Sequence, residues 1–212
     1  MPSSKDLHQN RRNYLKSELT EQKISPNPYE QFGRWYEEAK DGGIMEPNAM
    51  SVATATKKGK PSSRMVLLKS FDEKGLVFYT NYDSRKGHEI SENKQVAALF
   101  FWDILERQIR IEGTVEKIAL QLSDKYFAER PYESRLSAIV SKQSEEIPSR
   151  EYLEYRLAEL RESGSIDRPE NWGGYIIQAN YFEFWQGRSS RLHDRIVYYR
   201  ENEVWRTKRL AP

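Results

Sequence analysis

The sequence predicts a mainly β protein with helices, an α+β chain built on an antiparallel sheet or barrel. Three observations carry this. Five strand-like runs fall between residues 50 and 117 and are joined by short turns. The last of them, Arg107–Lys117, alternates cleanly, with Ile109, Ile111 and Val115 on one face and Gln108, Arg110, Glu112 and Glu116 on the other. Residues 119 to about 163 then turn helical, and β patterning returns from Trp172 onward.

Residues 1–26 are polar and weakly periodic, and are expected to form a mobile arm. Residues 27–212 are expected to fold as one domain with a helical insert over 119–163. Asn27 followed by Pro28 reads as a cap and first turn, with Phe32, Trp35, Tyr36 and Ala39 on one helical face and Asp41-Gly42-Gly43 as the stop. A strand over 50–56 and the turn Lys57-Lys58-Gly59-Lys60 come next. Two runs rich in β-branched and aromatic residues then flank a polar turn ending in Gly75, which predicts a hairpin. Asp83 or Ser84 caps the short helix that follows. The continuous apolar run over Gln95–Trp102 predicts a buried strand.

In the helical block, Leu122, Tyr126 and Phe127 lie on a helix that must stop near Arg130, because Pro131 follows. Pro131 opens another helix and places Ser134 in its first turn. Ser149 caps a third, with Leu153, Leu157 and Leu160 inward, and residues 164–171 are a linker. Strands over 172–178 and 181–186 are expected to break near Asn180. Residues 191–200 and Val204–Leu210 form a hairpin, which would put Arg191, His193 and Arg195 on one strand face.

The composition excludes several classes. The 212 residues carry a formal charge of +2, too mild by itself to imply nucleic acid. Cysteine is absent, which removes disulfides, thiolate metal sites and thiol catalysis, and three histidines are too few for a His-rich metal site, so no metal is expected. No apolar run is long enough to cross a bilayer and no signal-peptide pattern opens the sequence, so a cytoplasmic protein is expected.

The basic residues around the hairpin stand out. Arg85 and Lys86 occupy a helix's first turn, where the dipole disfavours cations. An anion at that helix start would reverse the penalty. Arg64 and Lys69 lie on the preceding strand, and the four cations together suggest a site for phosphorylated ligands; charge alone also fits a solvated basic surface. Arg64 and Lys69 have opposite parity, so either a bulge intervenes or they touch different ligands. Tyr126, Arg130 and Ser134 converge on a helix junction that is either another phosphate pocket or a capped surface corner.

Several colinear motifs narrow the reading. The run Arg64-Met65-Val66-Leu67-Leu68-Lys69, then Phe78-Tyr79-Thr80-Asn81 with Ser84-Arg85-Lys86, Arg107-Gln108 and Lys142-Gln143-Ser144 are the first. Glu183-Phe184-Trp185-Gln186-Gly187, Arg191-Leu192-His193-Asp194-Arg195 and the closing Arg209-Leu210-Ala211-Pro212 complete the set. Together they resemble the pyridoxamine/pyridoxine 5′-phosphate oxidase family over nearly the whole chain, from about Arg11.

The resemblance implies an FMN-binding split barrel, a six-stranded antiparallel Greek-key barrel with helices, working as a homodimer with FMN at the subunit interface. It implies oxidation of pyridoxine or pyridoxamine 5′-phosphate to pyridoxal 5′-phosphate, with O2 as acceptor. FMN is assigned to Arg64, Met65, Val66, Leu67, Leu68, Lys69, Tyr79, Thr80, Arg85, Lys86, Gln108, Gln143, Ser144, Trp185 and Arg195. The substrate is assigned to Lys69, Tyr126, Arg130, Ser134, Arg191 and His193, with Arg11 and Tyr14 as a lid. Arg191 and His193 are the expected catalytic pair: Arg191 a fixed cation near the phenolic oxygen, His193 either orienting the ring or accepting the alcohol proton. The rival readings are another flavin split-barrel oxidoreductase, a non-catalytic carrier of FMN or pyridoxal phosphate, and a basic β-protein that binds nucleic acid.

Overall fold

A computed structural model describes residues 13–164 and 166–212. The elements are α1 (Pro28–Asp41), β1 (Ala49–Ala55), β2 (Pro61–Asp72), β3 (Gly75–Asn81), α2 (Arg85–Glu92), β4 (Gln95–Trp102), β5 (Arg107–Lys117), α3 (Leu120–Glu129), α4 (Tyr132–Val140), α5 (Arg150–Ser163), β6 (Trp172–Gln186), β7 (Asp194–Glu201) and β8 (Val204–Leu210). The chain divides into two compact units. One comprises the chain up to Pro47 with Phe101–Arg110 and Phe182–Pro212; the other comprises Asn48–Phe100 and Ile111–Tyr181.

The second unit is the barrel. The strand order is β3-β2-β1-β4-β5-β6-β7-β8, and β3 also pairs with β6, which closes the first six strands on themselves. The closing register runs antiparallel from Leu76 opposite Ile177 to Asn81 opposite Trp172. Met50, Val52, Leu76, Phe78, Ala98, Phe100, Ile111, Val115 and Ile177 are buried there, one from every second position of their strands. The run over Gln95–Trp102 forms the expected strand, with burial concentrated on one face. Val96, Ala98 and Phe100 are buried whereas Phe101 is 58% exposed, so the strand has a core side and an outer side.

In the other unit, the Asn27 side chain accepts the Tyr29 N–H at 2.9 Å and caps α1. Phe32, Trp35 and Ala39 are buried on its inner face. The Arg107 guanidinium lies 4.3 Å from the Trp35 ring centroid and donates to Gln186 at 2.9 Å. Glu183 is buried on β6 and is satisfied by Arg110 at 3.0 Å and Arg195 at 2.9 Å. Residues 13–26, expected as part of a mobile arm, are tied down at several points in this unit. Leu19 and Ser25 are buried, and the Tyr198 hydroxyl donates to the Ser25 carbonyl at 2.7 Å.

Three further expectations change. β6 does not break at Asn180; it is one strand of 15 residues. Its buried parity switches instead: Tyr175, Ile177 and Ala179 are buried, then Phe182, Phe184 and Gln186. That switch mimics a chain break in sequence. Second, Arg191 is not on a strand: Ser190 and Arg191 take left-handed backbone angles (φ 54 and 61) in a short turn, and β7 starts at Asp194. Arg191, His193 and Arg195 therefore do not share a face by strand alternation. Third, Leu153, Leu157 and Leu160 of α5 are only half-buried.

The hairpin turn depends on a glycine. Gly75 has φ 148, and a Cβ there would sit 2.3 Å from the Ile177 carbonyl oxygen on β6. Gly59 has φ 80 but nothing within 4 Å of a Cβ. Gly59→Ala should cost about 1 kcal/mol, the backbone penalty alone. Gly75→Ala should cost more than about 2 kcal/mol, because a backbone clash is added. Chemical denaturation of the two variants checks the difference, and equal losses would contradict the close approach of β3 and β6.

Candidate functional site

A cavity of about 910 Å³ opens in the barrel unit, within the range of small-molecule sites. It is lined along β2 by residues 62–67 and Lys69, and at the end of β3 by Tyr79 and Thr80. Arg85 and Lys86 enter from α2, Tyr126 and Arg130 from α3 and its cap, Ser134 from α4, and Gln143 and Ser144 from the loop beyond. One expected residue departs: Leu68 is 4% exposed, sits opposite Phe78 in the barrel interior, and does not line the cavity.

One end of the cavity is the start of α2. Ser84, not Asp83, is the cap, and its Oγ accepts the Gly87 N–H at 3.3 Å. Lys86 is 6% exposed. Its Nζ donates to Gln143 Oε1 at 2.6 Å, Thr80 Oγ1 at 2.9 Å and Ser84 Oγ at 3.1 Å. Burial, with Arg64 adding repulsion, pushes its pKa down to about 8. Arg64 donates to the Val52 carbonyl at 3.1 Å, to Thr54 at 2.6 Å and to Ser62.

Glu89, which the sequence reading missed, joins the two arginines. Its carboxylate accepts from Arg85 Nε at 2.9 Å and Arg64 at 3.3 Å, and from the Thr54 and Ser62 hydroxyls. Burial pushes its pKa up, but those hydrogen bonds outweigh it and hold it at about 2. The available signal was its place four residues after Arg85 on one helix. Three cations against one carboxylate leave +2, the counterpart of a phosphate monoester dianion.

The other end is built on α3, α4 and a bulge. β2 and β3 pair Leu68 with Phe78 and then Ser70 with Val77, so Lys69 is an extra residue in the ladder. A bulge thus intervenes between Arg64 and Lys69, and both residues line the same cavity. Tyr79 and Tyr126 stack at 3.9 Å, and Tyr79 stacks on Trp172 at 5.5 Å. Arg130 caps α3 and lies 4.7 Å from the Trp172 ring centroid. Its Nη1 is buried and has no hydrogen-bond partner among the described residues. Burial lowers its pKa, yet a guanidinium stays charged at working pH. A buried donor without an acceptor is costly, and an anion on the cavity side would satisfy it.

The remaining expected residues lie in the other unit, apart from Arg11, which falls outside the described residues. Gln108 is half-buried on β5. Arg195 Nε and Nη2 hold the two Glu183 oxygens at 2.9 and 3.1 Å. Tyr14, Trp185 and His193 form a ring cluster, with centroids 5.7 Å apart for Tyr14–Trp185 and Tyr14–His193 and 4.7 Å for Trp185–His193. His193 Nδ1 accepts the Arg188 N–H at 3.1 Å. Burial, with the Arg191 charge adding to it, pushes the His193 pKa down. The ring is therefore neutral near neutral pH, and with Nδ1 accepting, the proton sits on Nε2.

Two family models match the chain. One is described as pyridoxamine 5′-phosphate oxidase and covers residues 36–164; the other is described as the pyridoxine 5′-phosphate oxidase C-terminal dimerisation region and covers residues 172–212. Among curated relatives, a pyridoxine/pyridoxamine 5′-phosphate oxidase of Gloeothece citriformis is 53% identical over 95% of this chain and 96% of its own. The same enzyme of Rubrobacter xylanophilus is 54% identical over 98% and 97%. Among solved structures, PhzG from Burkholderia lata, in complex with tetrahydrophenazine-1-carboxylic acid, superposes with a TM-score of 0.86 at 33% identity, covering 90% of this chain and 95% of that one.

Because Lys86 is poised near pH 8, anion binding here should be pH-dependent. A bound phosphate favours the charged ammonium, so the complex keeps a proton that the ligand-free protein loses above about pH 8. Affinity of the apoprotein for FMN should hold below pH 8 and weaken by up to about tenfold per pH unit above it. Lys86→Arg should flatten that dependence. The unfolded chain keeps its lysine protonated up to about 10.5, so burial of Lys86 opposes folding below pH 8, and that opposition fades as pH rises towards 10.5. Flavin fluorescence titrations from pH 7 to 9.5 check the binding; a flat wild-type profile would remove Lys86 from the anion seat.

Proposed function

The chain belongs to the pyridoxamine 5′-phosphate oxidase family, and from that premise we propose how its residues carry the reaction. The protein is an FMN-dependent oxidase and a homodimer. It converts pyridoxine 5′-phosphate or pyridoxamine 5′-phosphate to pyridoxal 5′-phosphate, with O2 reduced to H2O2 and ammonia released from the amine. Among the described residues, no helix is long and apolar enough to cross a membrane. The cysteine-free composition supports placement in a reducing cytoplasm.

The observation that carries the site assignment is the pairing of two anion seats in one cavity. Arg64, Arg85 and Lys86, with Thr80 and the α2 start, fit the FMN phosphate. Met65, Val66, Leu67, Tyr79, Gln143 and Ser144 line the adjoining walls for the rest of the cofactor. Lys69, Tyr126, Arg130 and Ser134 fit the substrate phosphate, and the unpartnered Nη1 of Arg130 supports this most directly. Bound FMN supplies the hydride acceptor and passes the electrons to O2.

Gln108, Trp185, Arg191, His193 and Arg195 come from the other unit, and all but Gln108 lie within the matched dimerisation region. We assign FMN to the subunit interface of the homodimer. Arg191 is a permanent cation, suited to stabilising negative charge on the phenolic oxygen of the substrate ring. His193 offers a protonated Nε2, so it acts as a hydrogen-bond donor that orients the substrate rather than as the acceptor of the alcohol proton. Tyr14, packed against His193, would serve as the lid on the same side.

Peroxide release with pyridoxine 5′-phosphate tests the reading and separates it from a flavin carrier without turnover. Arg191→Met should lower kcat by about a hundredfold or more while FMN is retained, the scale of losing one charge-stabilising group. Arg130→Leu should act mainly on the Michaelis constant, raising it at least about tenfold, as loss of a charged hydrogen bond does. Its effect should vanish with unphosphorylated pyridoxine; equal losses with both substrates would remove Arg130 from the phosphate seat.

A further inference from the structure

The segment after residue 13 is held by side chains that the reaction does not otherwise use. Glu106 is 3% exposed, and its Oε2 accepts two consecutive backbone N–H groups, Leu15 at 2.9 Å and Lys16 at 3.1 Å. Further along, Leu19 N–H donates to Asp194 at 3.0 Å, and Arg188 and Arg209 donate to the Ser17 and Leu19 carbonyls at 3.2 and 2.8 Å. Of these anchors, Glu106 grips the residues immediately after Tyr14. A carboxylate accepting backbone N–H groups makes charge-assisted bonds, stronger than neutral ones.

Glu106 also holds the floor on which Tyr14 rests. Its carbonyl accepts the Gly187 N–H at 2.7 Å and the Gln186 side-chain amide at 3.2 Å. Gly187 lies under the Tyr14 ring: a Cβ there would be 2.7 Å from Tyr14 Cγ and 2.9 Å from its Cβ. The backbone of Glu106 itself is left-handed (φ 57, ψ 39) at the end of a short turn, a conformation that non-glycine residues adopt sparingly and that concentrates at functional sites. One residue thus ties the strap by its side chain and the strap's seat by its main chain, and Tyr14 is held between them against Trp185 and His193.

We propose that Glu106 is a positioning residue for the oxidase reaction: its buried carboxylate seats residues 14–16, so that Tyr14 closes against His193 and Trp185 on the substrate side. This rests on the reading of Tyr14 as part of the substrate lid. Glu106 itself touches neither substrate nor cofactor in this account and acts only through Tyr14.

The test uses the FMN-loaded enzyme with Glu106→Ala, Glu106→Gln, Tyr14→Ala and the Tyr14→Ala/Glu106→Ala double variant. Hydrogen exchange read by mass spectrometry over residues 13–19 reports the strap without any need for turnover. Glu106→Ala should speed that exchange and raise the Michaelis constant for pyridoxine 5′-phosphate about tenfold, with a smaller change in kcat and unchanged FMN content, as expected for losing a charge-assisted bond. Glu106→Gln keeps an oxygen acceptor and should recover part of both effects. Within the Tyr14→Ala background, Glu106→Ala should add less than about twofold, because two residues acting through one contact are not additive.

Unchanged exchange over 13–19, or effects on the Michaelis constant that multiply in the double variant, would overturn the proposal. Should Glu106→Ala fail to fold, Gly187→Ala leaves Glu106 in place and fills the seat. It should speed exchange at the strap and raise the Michaelis constant in the same way, and no change in either would equally overturn the proposal. A wild-type enzyme that does not oxidise pyridoxine 5′-phosphate would defeat the functional reading instead, and the exchange data would still decide whether Glu106 seats the strap.

Discussion

The cavity depends on a lysine buried at the start of a helix. A cation there meets two penalties at once, loss of water and an unfavourable helix dipole. The chain meets them with three oxygens, from Thr80 on β3, Ser84 at the helix cap and Gln143 on the loop after α4. Two neighbouring residues and one from 57 positions away thereby converge on one ammonium group. Arg64 and Arg85 then enter beside it, and mutual repulsion would splay them if Glu89 did not bridge them from below. The result is a cluster whose geometry is set before a ligand arrives but whose excess charge calls for one. A site organised in this way binds an anion with little reorganisation, which is what preorganisation contributes to affinity.

Much of the framework was legible because its signals are local. Asn27-Pro28 starts α1, Gly75 turns the hairpin, Pro131 separates α3 from α4, and the clean alternation over Arg107–Lys117 became β5 with Ile109, Ile111 and Val115 buried. What failed was set by partners distant in sequence. The buried side of β6 changes parity between Ala179 and Phe182, and alternation alone reads such a switch as a break. Ser190 and Arg191 adopt left-handed angles that no residue type there announces, so Arg191 was placed on a strand it precedes. For the site, the cations were visible as charge, but their convergence was not. Glu89 is one carboxylate among 32 acidic residues, and only its spacing from Arg85 marked it. The roles of Trp185, Arg191 and His193 came from family resemblance, since an arginine and a histidine beside a tryptophan suit a solvent-facing strand equally well.

The charges in this protein divide into those that titrate and those that do not, and the division bears on how the reaction is run. The cations proposed for the substrate side are Lys69 and two guanidiniums, Arg130 and Arg191, a group that stays protonated at working pH. The one imidazole, His193, is kept neutral by burial and by Arg191, with its Nδ1 lone pair committed to the Arg188 N–H. With Nδ1 committed, His193 is not arranged to pick up a proton from an alcohol near neutral pH. On the proposed assignment the substrate would instead be met by fixed positive charge and a fixed donor, an electrostatic rather than acid–base arrangement. Titration is displaced to the anion seat proposed for the cofactor, where burial brings the Lys86 pKa down to about 8. On the proposed assignment, a loss of activity on the alkaline side would follow from release of the flavin phosphate rather than from a change at the reacting carbon. The alcohol oxygen, which becomes the carbonyl oxygen of the product, can give its proton to solvent or to the substrate's own ring, provided the ring is held still, and on the proposed assignment the phosphate grip of Lys69, Tyr126, Arg130 and Ser134 supplies that hold.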